Sequence, residues 1–327
     1  MFDFLYSIFG FLFRILFDFI GNYGLALLIF TLFFRIILLP STVKQQKGSA
    51  KQVRLQPKIK RIREKYQDYA PQERNAKIQE ETNALYQREG YSAMTAGCAP
   101  LLLQLPIHWG LYGIVREPLK YVLELPVELV NALKEVAVSE LGLTGTKAAY
   151  AESALIANID RLLLKIPDTA AQFADEIQKI RDFNFTMFGI DLGAIPTFDT
   201  IKNFGSSSTE AKILLLIPLL SFVTSLMTSL LTQARQKKNN PGAQDMMAQQ
   251  GCMMLMMPFM SLYFTFQFPA GMGMYWILSN VFAFFQTLVL GYIYSPRKLI
   301  ARQMVEETID RRSYERTKKI AAKKDAE

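Results

Sequence analysis

An all-α, polytopic membrane protein is predicted by three features of the 327-residue sequence. Half of its residues are hydrophobic, its mean hydropathy is +0.13, and long uncharged apolar runs alternate with clusters of Lys and Arg. The net charge of +8 would suit a nucleic-acid binder, but the basic residues stand beside the apolar runs, so charge reads first as topology. The expected architecture is five transmembrane helices, a cytoplasmic helical hairpin and an N-terminal interfacial helix.

Residues 1–21 are apolar, yet Asp3, Ser7, Arg14 and Asp18 recur at helical spacing opposite Phe2, Leu5, Phe9, Phe13, Leu16 and Phe17. That pattern reads as an amphipathic helix lying in the membrane interface, with an extra span or an uncleaved signal sequence as the competing readings. Gly21 and Asn22 break it. Transmembrane helix 1 follows at 22–43, NYGLALLIFTLFFRIILLPSTV.

From Lys44 to Lys65 there are nine Lys/Arg and one acid, Glu64, which places this side in the cytoplasm and runs the first span inward. Residues 44–92 hold no spanning run and read as a charged hairpin of two antiparallel helices. Pro57 and Pro71 suit helix starts, and Ile59, Ile62 and Tyr66 line one face, Ile78 and Leu85 the other. No aromatic-basic signature supports nucleic-acid recognition here.

Transmembrane helix 2 occupies 93–117 and leads outward. The connection 118–208 carries twelve acids against eight bases, as suits the outer side, and its pieces VELVNALKEVAV and TAAQFADEIQKIRDF read as short amphipathic helices. Nothing in it has the pattern of a catalytic or metal site. Transmembrane helix 3 (209–232) returns inward to the positive loop 233–250. Transmembrane helix 4 (251–268) ends at the tight turn Pro269, Ala270 and Gly271, and transmembrane helix 5 (271–293) leads back inside. A basic tail, 294–327, reads as a frayed helix. The N-terminus is therefore expected outside and the C-terminus in the cytoplasm. Cys98 and Cys252 each stand at the cytoplasmic start of a span and are expected as reduced thiols.

The residue that sets the chemistry is Arg35. A guanidinium inside a spanning helix is disfavoured by about 2.5–3.5 kcal/mol, and Lys44 lies roughly 13 Å further along, so snorkelling gives it only partial relief. No Asp or Glu stands in the apolar runs of the five spans; Glu117 lies only at an edge. The polar groups in and beside them are neutral: Thr31, Gln104, Ser221, Thr224, Ser225, Thr228, Gln267, Ser279, Asn280 and Gln286. Neutral dipoles orient water around a cation without cancelling its charge, which implies a hydrated cavity reaching Arg35 from the cytoplasm; lipid phosphates or carbonyls of a neighbouring helix are the alternative. Such a cation suits transient docking of acidic or polar chain segments.

Prolines in or at the ends of the spans (Pro40, Pro100, Pro106, Pro218, Pro258 and Pro269) permit kinks. The methionines 246, 247, 253, 254, 256, 257 and 260 suit repacking around varied apolar surfaces, or else plain lipid-facing packing. His108 is the sole histidine and has no acid near it in sequence, so it reads as a neutral, hydrogen-bonded packing residue rather than a proton relay.

Four separated motifs, NYGLALLIFTLFFRIILLP, LQPKIKRIREKY, GCAPLLLQLPIHWGLY and FPAGMGMYWILSN, together resemble the YidC family of membrane protein insertases, also called the oxidase-assembly family, over about residues 10–115 and 185–295. The resemblance implies a five-helix core around a hydrophilic groove open to cytoplasm and lipid and closed outside. It assigns the groove arginine to Arg35 and substrate-contacting positions to Thr31, Leu105, His108 and Trp276; Gln104, Ser225, Ser279 and Asn280 join them as polar groove candidates. It makes residues 51–90 the hairpin needed for activity and for contact with targeting factors. At His108 the family usually has a large apolar residue, and the 118–208 connection is longer than the family minimum. A large outer domain before the first span and a lipoprotein cysteine near the start are not seen, which resembles neither the commonest two-membrane bacterial form nor the lipidated one-membrane form; a single-membrane bacterial type in the plasma membrane is expected.

The expected function is therefore an insertase that makes no bonds and needs no cofactor or metal. It would move nascent hydrophobic segments and short hydrophilic flanks into the bilayer, with nascent membrane proteins, the ribosome, the Sec translocon or the signal recognition particle system, and membrane lipids as partners. The competing function is a secondary transporter or channel for a small anion, which would call for inverted repeats and a membrane carboxylate that the sequence does not display. An intramembrane protease would call for paired aspartates or a Ser/His pair within the spans.

Overall fold

The computed structural model describes residues 3–92, 99–145, 147–239 and 256–324. Its main helices are α1 (Asp3–Ile20), α2 (Tyr23–Ile37), α3 (Leu39–Lys65), α4 (Pro71–Arg88), α5 (Ala99–Arg116), α6 (Leu216–Asn239), α7 (256–265), α8 (Ala270–Ile293) and α9 (Pro296–Lys324). Among the described residues two helices, Thr209–Lys238 and the one that starts at Ala270, are long and apolar enough to cross a membrane, and a third is if Tyr23–Ile37 and Leu39–Lys65 form one broken span. The chain divides into two compact bodies, residues 1–38, 102–233 and 249–285 in one, residues 39–101, 234–248 and 286–327 in the other.

In the first body, α1 ends at Gly21, whose φ of +69° suits a residue without a Cβ, and Asn22 caps α2 by accepting the Leu25 N–H at 2.9 Å. The apolar face of α1 is not left open: Phe9 and Phe13 are buried against Phe30, Phe34 and Tyr23 of α2. It also seats on α5, because a Cβ on Gly110 would stand 2.3 Å from the Phe9 ring and one on Gly113 2.4 Å from the Tyr6 ring. The charged face of α1 is tied to the segment after α5, with Arg14 paired to Glu124 and the Tyr121 hydroxyl donating to Asp3 at 3.1 Å. A second apolar stripe on α1, Phe4, Phe11, Ile15 and Phe19, is exposed.

The connection after α5 folds into a cap of short helices with its own buried core of Leu119, Leu129, Leu133, Leu155, Leu162, Ile177 and Ile180. Its predicted helices appear at Val127–Glu140 and, broken at Phe173, at Pro167–Gln172 and Ala174–Asp182. Among the described residues the sheet is confined to one short antiparallel hairpin, Thr186–Met187 against Ile190–Asp191, in keeping with the all-α expectation. The cap occupies backbone groups at the ends of three helices. Asn184 O accepts the first N–H of α2 at 3.0 Å, Ser153 donates to Val115 O near the end of α5, and Ala194 O and Leu192 O each accept from the start of α8 at 2.8 Å. These bonds satisfy terminal groups that a helix cannot satisfy itself. Glu152, buried in the cap, accepts from the Leu119 and Lys120 N–H groups and from Lys134 Nζ at 3.3 Å. Burial pushes its carboxyl up to about 7, outweighing the opposing pull of Lys134.

In the second body, α3 and α4 form a hairpin stapled by Lys58 to Glu89 and by Lys65 and Tyr66 to Glu81, with Leu55, Ile59 and Tyr91 as its small core. Pro71 stands at the start of α4 as expected, but Pro57 lies inside α3 rather than starting a helix. The buried Leu55 and Ile59 on either side of it hold the helix continuous against the cost of the missing N–H. The break comes earlier, at Leu38, within the run expected as 22–43. Pro40 cannot donate back to Ile36 and disfavours helical geometry in the residue before it. The basic tail forms one long helix, α9, lying against α3. At the end of α6, Arg235 donates to the carbonyls of Thr287 and Leu288, a fit that Gly291 permits because any Cβ there would collide with the guanidinium. Cys98, Cys252 and methionines 246, 247, 253 and 254 lie outside the described residues.

Candidate functional site

Leu27, Thr31 and Arg35 recur at intervals of four and share one face of α2. Leu27 and Thr31 are buried, and the Thr31 hydroxyl donates back to the Leu27 carbonyl at 2.7 Å, which spends it within its own helix. Arg35, half-buried, reaches across to α8. Its Nη2 donates to the Ser279 carbonyl at 2.8 Å and to the Ser279 hydroxyl. Ser279 is itself buried, at 7 % exposure.

Among the described residues Arg35 has no carboxylate partner and hydrogen-bonds Ser279 alone, through a single nitrogen of its fork. The guanidinium therefore keeps its full charge and its Nε–H and Nη1 donors. Of the sources of solvation open from the sequence, a carbonyl of a neighbouring helix is thus realised.

One turn before Ser279 stands Tyr275, 4 % exposed. The Tyr275 hydroxyl faces His108 Nε2 of α5 at 3.5 Å, and the two rings meet edge-on at 5.5 Å. The structure thus joins α2, α8 and α5 through Arg35, Ser279, Tyr275 and His108. Sequence reasoning misses Tyr275 because it sits in an apolar run beside Trp276. Its spacing of four from Ser279 is the available signal.

The other candidates are arranged around this node rather than in it. Trp276 packs with the rings of Phe268 at 5.7 Å and Phe264 at 6.5 Å. Leu105 is exposed on α5, and Gln104 lies on the same helix with its side chain outside the described residues. Ser225 is half-buried on α6. Asn280 accepts through its carbonyl from Thr228 at 3.3 Å, which ties α6 to α8. The hydroxyls of Thr224, Thr228 and Thr232 also donate to carbonyls four residues back at 2.7–2.9 Å, so α6 presents fewer free dipoles than its composition suggests. A separate face of α2 exposes Leu25, Ile29, Leu32 and Ile36 in an apolar stripe. No group of three or more His, Cys, Asp or Glu able to hold a metal occurs among the described residues.

Known proteins bear on this arrangement. The chain is 24 % identical over 269 residues to membrane protein insertase MisCA of Bacillus subtilis, covering 82 % of this chain and 70 % of that one. It is 23 % identical over 297 residues to membrane protein insertase YidC 2 of Listeria innocua, covering 90 % and 74 %. A 100-residue stretch, 30 % of this chain and 38 % of the relative, is 43 % identical to membrane protein insertase YidC of Oceanobacillus iheyensis. The family described as 60Kd inner membrane protein matches residues 15–297. With that match over most of its length, this apolar helical chain belongs to the 60Kd inner membrane protein family, the YidC and oxidase-assembly family.

Proposed function

We propose that this chain is a membrane protein insertase of the bacterial plasma membrane, acting on nascent membrane proteins and making or breaking no covalent bond. The observation that carries the reading is a guanidinium in an apolar helix held, among the described residues, only by the neutral acceptors of Ser279. A permanent carboxylate partner would quench that charge; a serine orients it and leaves it available. The names of the relatives, all insertases, support the same reading.

In this account five spans surround a hydrated groove open to the cytoplasm, with the N-terminus outside and the tail inside. The hydrophilic flank of a client docks at Arg35, near Thr31, Gln104, Ser225, Ser279 and Asn280. Its apolar part slides along the first, second and fifth helices past Leu105, His108 and Trp276 and passes into lipid. The wet groove thins the local bilayer and lowers the barrier to moving polar groups. The cap 118–208 supports the reading by closing over helix ends on one side, and the basic hairpin and tail supply surfaces for a ribosome, the Sec translocon or the signal recognition particle system.

Reconstitution into liposomes tests this function. A radiolabelled single-span client should become protease-protected in the presence of the chain, without flux of small anions. Anion flux without client protection would overturn the proposal in favour of a transporter or channel.

A further inference from the structure

The hairpin Thr186–Asp191 turns through Phe188 and Gly189, both left-handed, with φ of +53° and +77°. Such turns favour Asn or Gly at the first position, and a bulky residue there is an outlier. Phe188 nevertheless holds it, and its side chain is 79 % exposed, so no packing among the described residues accounts for a phenylalanine at the tip. The hairpin itself is rigidly mounted. Met187 is buried, and a Cβ on Gly24 would stand 2.4 Å from the Met187 Cβ, so the strand lies directly on the first turn of α2. Behind it Phe17, Tyr23, Phe183 and Phe185 form an aromatic nest with ring centroids as close as 4.5 Å.

The mount sets the tip at the Tyr23 end of α2, the end of an apolar helix, and the residues on either side of the α1–α2 turn there, Phe19, 92 % accessible, and Leu25, are exposed as well. The exposed stripe of α1 ends at this turn and that of α2 begins there, so the hairpin tip and both stripes share one end of α2. A single ring is far too small for a specific protein interface but suits the headgroup–acyl boundary, where aromatic residues gather. We propose that Phe188 is a lipid anchor that dips into the leaflet at the Tyr23 end of α2 and holds that helix at a set depth. Arg35, twelve residues on, is thereby held roughly 18 Å below the boundary. This inference rests on α2 crossing the bilayer, but not on any client being inserted.

Tryptophan fluorescence in vesicles of brominated phosphatidylcholine tests it, using Phe188→Trp in the full chain with Trp109 and Trp276 replaced by Phe. A parallel measurement keeps both native tryptophans and takes the difference on adding Phe188→Trp. The expected result is strong quenching by lipid brominated near the glycerol end of the acyl chain, weaker quenching by lipid brominated deeper, and protection from acrylamide. Quenching by acrylamide with none by brominated lipid would overturn the anchor. Protection from both would overturn it in favour of a protein partner. Because no client is present, a failure of insertion leaves this result standing, and a Phe188→Trp chain that inserts normally while its new indole escapes the brominated lipid sinks the anchor alone.

Discussion

The Nη2 of Arg35 lies 2.8 Å from the backbone carbonyl of Ser279, so among the described residues the charge in α2 is tied to α8 by a neutral acceptor rather than by a counter-ion. If neutrality of the partner is what keeps the guanidinium available, supplying a carboxylate should stop function without harming the fold. Ser279→Asp is expected to give a chain at least as resistant to thermal unfolding as the parent, with insertion of acidic-tailed clients reduced by roughly tenfold or more, a loss of about 1.4 kcal/mol in the docking step. Normal insertion by that variant would show that the charge need not be free.

Tyr275 links the same node to His108 through a contact of 3.5 Å. Tyr275→Phe keeps the ring and removes the hydroxyl, and should cost about 0.5–1.5 kcal/mol of stability. Denaturation of the purified protein in mild detergent measures it; a Tyr275→Phe chain as stable as the parent would make the contact incidental.

The seating of α1 on α5 depends on glycines that admit aromatic rings. A Cβ on Gly110 would meet the Phe9 ring at 2.3 Å, so Gly110→Val should lower stability by about 1–3 kcal/mol through overpacking. The companion Phe9→Ala, Gly110→Val chain should lose less than the sum of the two single losses, because the ring is what the new methyl groups strike.

Glu152 gives the cap a pH dependence. Its folded carboxyl is pushed up to about 7 from an ordinary value of 4.5. Between those values the folded state holds a proton that the unfolded state has released, so stability falls as pH rises through the window and levels off above about 7. The full change is on the order of 3 kcal/mol. Unfolding of the purified chain followed across that window and just beyond it should show this decline, and Glu152→Gln should flatten it. An unchanged slope in the variant would assign the effect elsewhere.

Arg35 was legible in the sequence because its cost in an apolar run is large whatever surrounds it, and Ser279 because it was one of few neutral polar residues available. The boundary before α2 followed from the break expected at Gly21 and Asn22, and the helices of 118–208 from their periodicity; the Asn22 cap itself came from the structure. The pairing of Arg35 with Ser279 specifically was not legible, since it depends on how two helices 244 residues apart in sequence meet. Tyr275 was hidden for the same reason, its hydroxyl one polar atom within an apolar stretch. Pro57 misled because a proline favours a helix start locally, whereas burial of Leu55 and Ile59 decided the outcome. The cap's bonds to three helix ends use backbone atoms, which side-chain patterns do not reveal.

The central claim is that the Arg35 charge receives the polar flank of a client. Purified chains carrying Arg35→Ala or Arg35→Lys, reconstituted at equal density, should be compared for protease protection of a single-span client with an acidic translocated tail. The account predicts loss of protection with Arg35→Ala and near-parental protection with Arg35→Lys, which keeps the charge and a donor. Insertion by the Arg35→Ala chain at the parental rate would contradict it.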